Sequence, residues 1–198
     1  KAILAISIIG AMALGFAACG GNGGSDAIAV ISREEGSATR GAFVELTGVE
    51  VDKVDKTVAT AEISSSTAVV MQTVAGNKAA IGYISLGSLD NTVKAVKVDG
   101  VEATADNVKN GTYPICRPFN IATKGDLSDA AKDFIAFIQS DEGQQVITDK
   151  GCVSTGSTGA FTSGNPTGTV VVEGSSSVTP VMEKLAEAYM AINSGVTV

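Results

Sequence analysis

Twice in this chain a short run of β-branched residues gives way to a turn of Gly, Ser and Thr, and then to a helical stretch. Residues 27–32 (AIAVIS) lead into EEGSAT at 34–39 and a helix over 40–46. Residues 169–173 (TVVVE) lead into GSSSVTP at 174–180 and a helix to about 193. A short apolar run bounded by turn residues reads as a buried strand, and a Ser or Thr after it reads as a helix cap. Strands that alternate with helices predict an α/β class. The segments between fit that class. Ser64, Ser65 and Ser66 precede a helix over 67–75, with Val70, Met71 and Val74 on one face. Residues 79–85 (AAIGYIS) read as a strand, and the Val/Lys alternation over 93–98 reads as a half-exposed one. Pro114 and Pro118 keep 111–123 extended. Ser128 caps a helix over 129–139 that turns Ala131, Phe134, Ile135 and Ile138 inward. Ser140 opens another, ended by Gly151. In the first helix Ala42, Phe43 and Leu46 should face the core. In the last, Thr179 should cap, Pro180 should stand first, and Val181, Leu185, Ala188, Tyr189 and Ile192 should face inward.

The first 18 residues stand apart. Lys1 is followed by a chargeless stretch, residues 2–18, that ends in small residues before Cys19. That pattern reads as a secretory signal. Phe16-Ala17-Ala18-Cys19-Gly20 resembles a bacterial lipobox, which implies lipidation of Cys19 and an extracytoplasmic protein anchored to the cell membrane. The Gly-rich stretch in 19–26 reads as a tether. The chain opens on Lys rather than Met, so an upstream start is expected. Residues 154–168 (STGSTGAFTSGNPTG) read as a linker between the body of the chain, 27–153, and a last strand–helix segment, 169–198. Cys116 and Cys152 can form a disulfide in an exported protein, or remain two free thiols.

Composition removes several functions. The chain has no His, so it offers no Ser-His or Cys-His pair and no imidazole metal site. A net charge of −7 argues against a nucleic-acid partner. Charged residues make up only 18% and hydrophobic ones 44%, too apolar for a disordered chain. No Ser has a Lys three residues on, and neither Gly/Ser/Thr turn is a P-loop or a dinucleotide fingerprint. No enzyme, cofactor or metal is expected.

The two turns are where chemistry can sit. A helix N-terminus presents unpaired N–H groups and a partial positive charge, so it can hold an anion. Ser and Thr hydroxyls add donors without charge, and Arg33 can add a bidentate contact. On composition alone such a turn is usually only a cap.

The run ISREEGSATRGAF (31–43) resembles the ligand-binding motif of periplasmic-type phosphate-binding proteins, the solute receptors of phosphate ABC transporters. AAIGYISLGSL (79–89), YPICRPFNIATKG (113–125) and DFIAFIQSDEGQQVI (133–147) are similar to the later part of that family, and GSSSVTPVMEKLAEAY (174–189) to its first strand–helix segment. The resemblance implies periplasmic-binding-protein-like lobes of type II. It implies a monomeric receptor that captures phosphate between lobes and hands it to a membrane permease. It assigns Arg33 to the phosphate oxygens and Glu35 to orienting that Arg. It assigns Ser37, Ala38 and Thr39 to hydroxyl and N–H donation, with Ser177 and the Val178 N–H opposite. Glu34, Arg40 and Glu183 are left as a solvated helix face.

The order of the pieces departs from the family. The GSSSVTP segment normally comes first and here comes last, and an Asp-x-Gly-x-x-Ser-Arg segment is not found. The fold is therefore incomplete or circularly permuted. Either the chain is a fragment of a tandem protein, or its last segment folds back to complete the first lobe. Two other functions stay open: a receptor for another oxyanion such as sulfate or molybdate, and an anchored interaction module without a ligand.

Overall fold

A computed structural model of the chain describes residues 27–198. The expected signal (1–18), Cys19 and the whole tether (19–26) lie outside the described residues.

Strand β1 (Ala29–Arg33) is the middle of a three-stranded parallel sheet. On one side it pairs with β4 (Glu62–Ser64), with Arg33 opposite Ser64. On the other it pairs with β5 (Ala80–Gly82), with Ile31 opposite Gly82. A central strand has no exposed edge, and Ile31, Ser32 and Arg33 are all buried. Helix α1 (Ala38–Leu46) follows β1, and a small hairpin of β2 (Glu50–Val51) and β3 (Val54–Asp55) follows α1. Helix α2 (Thr67–Gly76) links β4 to β5. It lies so close to the sheet that a Cβ on Gly82 would stand 2.8 Å from a Val70 methyl. The short helix α3 (Ala105–Lys109) precedes the Pro-punctuated stretch, which is irregular.

The main core lies elsewhere. Helices α4 (Asp129–Gln139) and α5 (Asp141–Asp149) form a corner capped by Ser128 and Ser140, whose hydroxyls accept from the N–H groups of Ala131 and Gly143. Against α4 pack β6 (Gly168–Thr169) and α6 (Thr179–Ile192), and β7 (Val196–Thr197) pairs with β6. Ala130, Phe134, Phe137 and Ile138 of α4 share one buried cluster with Val170, Val181, Leu185, Ala186, Tyr189 and Val196. The last thirty residues therefore share a core with the body of the chain. Each large apolar side chain buried there contributes about 1.5–3 kcal/mol.

The stretch 154–168 does connect α5 to β6, but it is held down. The Thr158 N–H donates to the Gln139 carbonyl at 2.9 Å, and the Phe161 N–H donates to the Glu142 carboxylate at 2.8 Å. The Phe161 ring meets Phe137 edge-on at 5.2 Å. One aromatic in a Gly/Ser/Thr run gives it an anchor that composition conceals.

Several local expectations are corrected. In α1 the buried residue is Val44, while Leu46 is exposed. No strand forms over 93–98: the alternation has no partner, and only a Val98–Val101 bridge closes around Asp99 and Gly100. The second strand shrinks to β6, because only β7 is there to pair with it. Val178, not Thr179, caps α6, and Ile192 is exposed. Cys116 is exposed, Cys152 is half-buried, and both are free thiols, so the possible disulfide is not formed.

Candidate functional site

Arg33 ends the central strand, and its position there dictates its surroundings. It is 1% exposed, yet its guanidinium is met by partners on every side. Nε donates to a Glu34 carboxylate oxygen at 2.8 Å and to the Ser64 carbonyl at 3.2 Å. Nη2 donates to the other Glu34 oxygen at 2.9 Å and to the Ser176 hydroxyl at 3.0 Å. Nη1 donates to the Thr67 hydroxyl at 3.2 Å. A buried cation is tolerable only with such complete pairing. Glu34 thus occupies the Nε side of the fork, and the Nη end faces hydroxyls of two other segments. Its pairing with Arg33 holds the Glu34 carboxyl below the usual range.

The start of α1 is built by Gly36, whose φ of 82° makes the turn, and by Ser37, whose hydroxyl accepts from the Arg40 N–H at 3.3 Å. Thr39, on the first turn, donates its hydroxyl to Ser177 at 3.0 Å. Ser177 is 5% exposed and also bonds the Ser175 hydroxyl at 2.9 Å. Its carbonyl accepts from the Ser85 hydroxyl at 3.1 Å. Ser176 lies 3.3 Å from the Thr67 hydroxyl. Tyr83, just after β5, accepts from the Arg33 backbone N–H at 3.0 Å and bonds the Ser32 hydroxyl at 2.7 Å. Its ring stacks on Phe43 at 4.1 Å.

The two junctions singled out from the sequence are therefore in direct contact across Arg33. A third joins them, since Thr67 opens α2. The N-terminal ends of α1, α2 and α6 converge on one buried guanidinium lined with hydroxyls. Such an arrangement offers hydrogen bonds and positive helix ends to a small tetrahedral oxyanion. Among the described residues no group of carboxylates and thiols could hold a metal ion.

Of the expected residues, Arg33, Thr39 and Ser177 belong to this hydroxyl-lined cluster; Ser37 caps α1 through the Arg40 N–H, and the Val178 N–H is taken by the Ser175 carbonyl at 2.9 Å. Ala38 and Glu35 are exposed. Glu34, read from the sequence as solvated, is the acid that grips Arg33. Arg40, read the same way, donates to the Arg33 carbonyl at 2.9 Å and to Asp55 at 2.7 Å. Glu183 is exposed as expected. Thr67, Ser176, Tyr83 and Ser85 were not anticipated. The run of three Ser before Thr67 signalled a third strand-to-helix junction, but only as a cap. Nothing in the sequence alone singled out Tyr83.

Comparison with known proteins shows the family. The model of the PBP superfamily domain matches residues 19–142. Phosphate-binding protein PstS 2 of Streptococcus pneumoniae strain TIGR4 is 47% identical over 209 residues, spanning 100% of this chain and 72% of that protein. Its counterpart in Streptococcus agalactiae serotype V is 45% identical over 208 residues, spanning 100% and 71%. Among solved structures, the phosphate-binding protein of a phosphate ABC transporter from Streptococcus pneumoniae TIGR4 superposes with a TM-score of 0.68. It is 50% identical and covers 86% of this chain and 68% of that one. A putative phosphate ABC transporter substrate-binding protein of Clostridium perfringens, solved with bound phosphate, gives a TM-score of 0.60 at 41% identity, over 65% and 52% of the two chains. Both streptococcal alignments span the whole of this chain, the late GSSSVTP segment included.

Proposed function

The chain belongs to the phosphate-binding proteins of the PBP superfamily, and on that premise we propose that it is the solute receptor of a phosphate ABC importer. Inorganic phosphate is held against the Nη end of Arg33, between the Thr39–Thr67 side and the Ser176–Ser177 side. The reading rests on one observation above all: a buried Arg at the first junction whose hydroxyl partners, Thr67 and Ser176, come from the two others.

In this reading the bonds between hydroxyls are the ones the ligand replaces. Thr39 and Ser177 turn their protons from each other to phosphate oxygens, and Thr67 and Ser176 do the same beside Arg33. The N–H groups of Ala38 and Thr39 add the positive end of α1, whereas those of Ser37 and Val178 already donate to the Glu34 and Ser175 carbonyls. Glu34 keeps the Nε side of the guanidinium and fixes its plane. An anion that bridges two segments favours their closed arrangement, which is the hinge mechanism of a capture protein. Among the described residues the hydroxyls bond one another and Arg33 rather than a base, which supports a site that binds and releases its ligand. The receptor works outside the cytoplasm as a monomer, anchored through Cys19, and delivers phosphate to a membrane permease.

Calorimetric titration with phosphate and with sulfate tests this. Saturable heat with phosphate is expected, and Arg33→Met should weaken it roughly a hundredfold or more, because hydrogen bonds to a charged group contribute about 1.5–3 kcal/mol each. No heat from the wild-type chain at millimolar phosphate would sink the proposal. Equal affinity for sulfate would replace it with a general oxyanion receptor.

A further inference from the structure

The β2–β3 hairpin is hard to explain by packing. No residue on either strand is buried, and Val51 and Val54 are 48% and 50% exposed. The hairpin is nonetheless tightly made. Asp52 and Lys53 both take positive φ in the turn, the combination a two-residue hairpin of this hand demands. The Lys56 N–H then closes on the Val49 carbonyl at 3.0 Å.

What the hairpin does carry is Asp55. One oxygen of its carboxylate is pinned by the Thr57 N–H at 2.7 Å. The other accepts from Arg40 Nε at 2.7 Å. Arg40 Nη1 in turn donates to the Arg33 carbonyl at 2.9 Å. The two side chains of the pair are 21% and 27% exposed, so water shields them only in part. The Arg33 carbonyl lies at the bend between β1 and α1, where a shift would re-aim both the buried guanidinium and the start of α1. A planar guanidinium with donors fixed in two directions can serve a carboxylate and a carbonyl at once; an ammonium cannot hold that geometry.

We propose that Asp55 and Arg40 form a positioning clamp for the anion site, through which the β2–β3 hairpin fixes the bend that presents Arg33. This rests on the phosphate-receptor reading. Neither residue touches the ligand. Asp55 acts through Arg40, and Arg40 acts through the Arg33 backbone.

The test uses the full chain and three single variants, Asp55→Asn, Arg40→Met and Arg40→Lys, with the double variant Asp55→Asn/Arg40→Met. Two quantities are measured: phosphate affinity by calorimetry, and solvent exchange of the Arg33 Nε–H by NMR in the ligand-free protein. Asp55→Asn and Arg40→Met should each weaken phosphate binding about tenfold, the range of coupled neighbours. Adding Asp55→Asn to Arg40→Met should cost less than about twofold more, because the chain of contacts is already cut. Arg40→Lys should fail to restore affinity. The unfolding midpoint should fall by about 3 °C or less in each, as suits a partly exposed pair. Exchange at Arg33 Nε should quicken in every variant. Wild-type affinity in Asp55→Asn, or losses that multiply in the double variant, would overturn the clamp. Should the wild-type chain take no phosphate, the receptor reading fails by itself. The Nε–H exchange then decides the clamp, and unchanged exchange would overturn it.

Discussion

Tyr189 offers a sharp test of whether the last segment is docked as described. It is fully buried, with ring contacts to Phe134 at 5.0 Å, Phe137 at 5.6 Å and Phe161 at 6.1 Å. Its hydroxyl donates to the Asp133 carboxylate at 2.9 Å and accepts from Asn193 at 3.2 Å. Tyr189→Phe removes the hydroxyl alone. A hydrogen bond to a charged partner contributes about 1.5–3 kcal/mol, and the lower end applies because other donors remain on Asp133. Ser163 and the Gly164 N–H still bond that carboxylate, at 2.9 Å and 2.8 Å. A loss near 1.5–2 kcal/mol should lower the midpoint by roughly 3–8 °C for a chain of this size. Tyr189→Ala also removes the ring, which adds about 3–5 kcal/mol and reaches the lower bound of a whole domain's stability. The tail should then leave its seat and take Ser176 and Ser177 from Arg33. Urea unfolding followed by circular dichroism suits a chain without Trp. Burial first, and then Asp133, pushes the Tyr189 hydroxyl up to about 12. An alkaline absorbance titration should therefore show one tyrosine ionising last, and Tyr189→Phe should remove that step. Equal small losses in both variants would refute the docking.

Other outcomes follow from single contacts. Gly143→Ala should destabilise severely, since its Cβ would stand 2.1 Å from the Phe137 carbonyl oxygen at the α4–α5 corner; a midpoint within about 2 °C of wild type, a surface-like effect, would contradict that corner. Glu34→Gln should weaken phosphate binding in a titration, whereas Glu35→Gln should leave it within about twofold; the reverse would restore the assignment made from family resemblance. Tyr83→Phe leaves the buried Arg33 N–H without its acceptor and should cost about 1–3 kcal/mol in denaturant unfolding. The Asp55 carboxyl is lowered to about 2, mainly by its hydrogen bonds to Thr57 and then by Arg40. A depressed folded value adds stability above the unfolded value near 3.9, lost as pH falls through the folded one. Asp55→Asn should therefore flatten the acid limb of the stability curve between about pH 4 and 2, and leave its shape above pH 5 unchanged.

Much of the fold was legible because its signals are local. Ser128 and Ser140 cap where they should, and α4 begins and ends at the predicted residues. The GSATR and GSSSVTP junctions could be named from the sequence because a strand, a Gly/Ser/Thr turn and a helix follow in order. The misses are questions of tertiary partnership. Val93 to Val98 has the alternation of a strand, but no neighbour supplies a ladder. Glu34 and Glu35 are adjacent acids, and only the turn at Gly36 decides which reaches Arg33. Arg40 looked like a surface residue because its two acceptors, Asp55 and the Arg33 carbonyl, lie on separate elements. Thr67 and Ser176 needed a third junction to be recognised as part of one site.

The proposed receptor holds phosphate at Arg33, where the early and late junctions meet. The most direct measurement is an NMR titration of the nitrogen-labelled chain with inorganic phosphate, following the Arg33 Nε–H and the backbone N–H groups of Thr39, Thr67, Ser176 and Ser177. These five signals should move together along one saturable curve. Saturable shifts elsewhere, with these five unmoved, would contradict that placement.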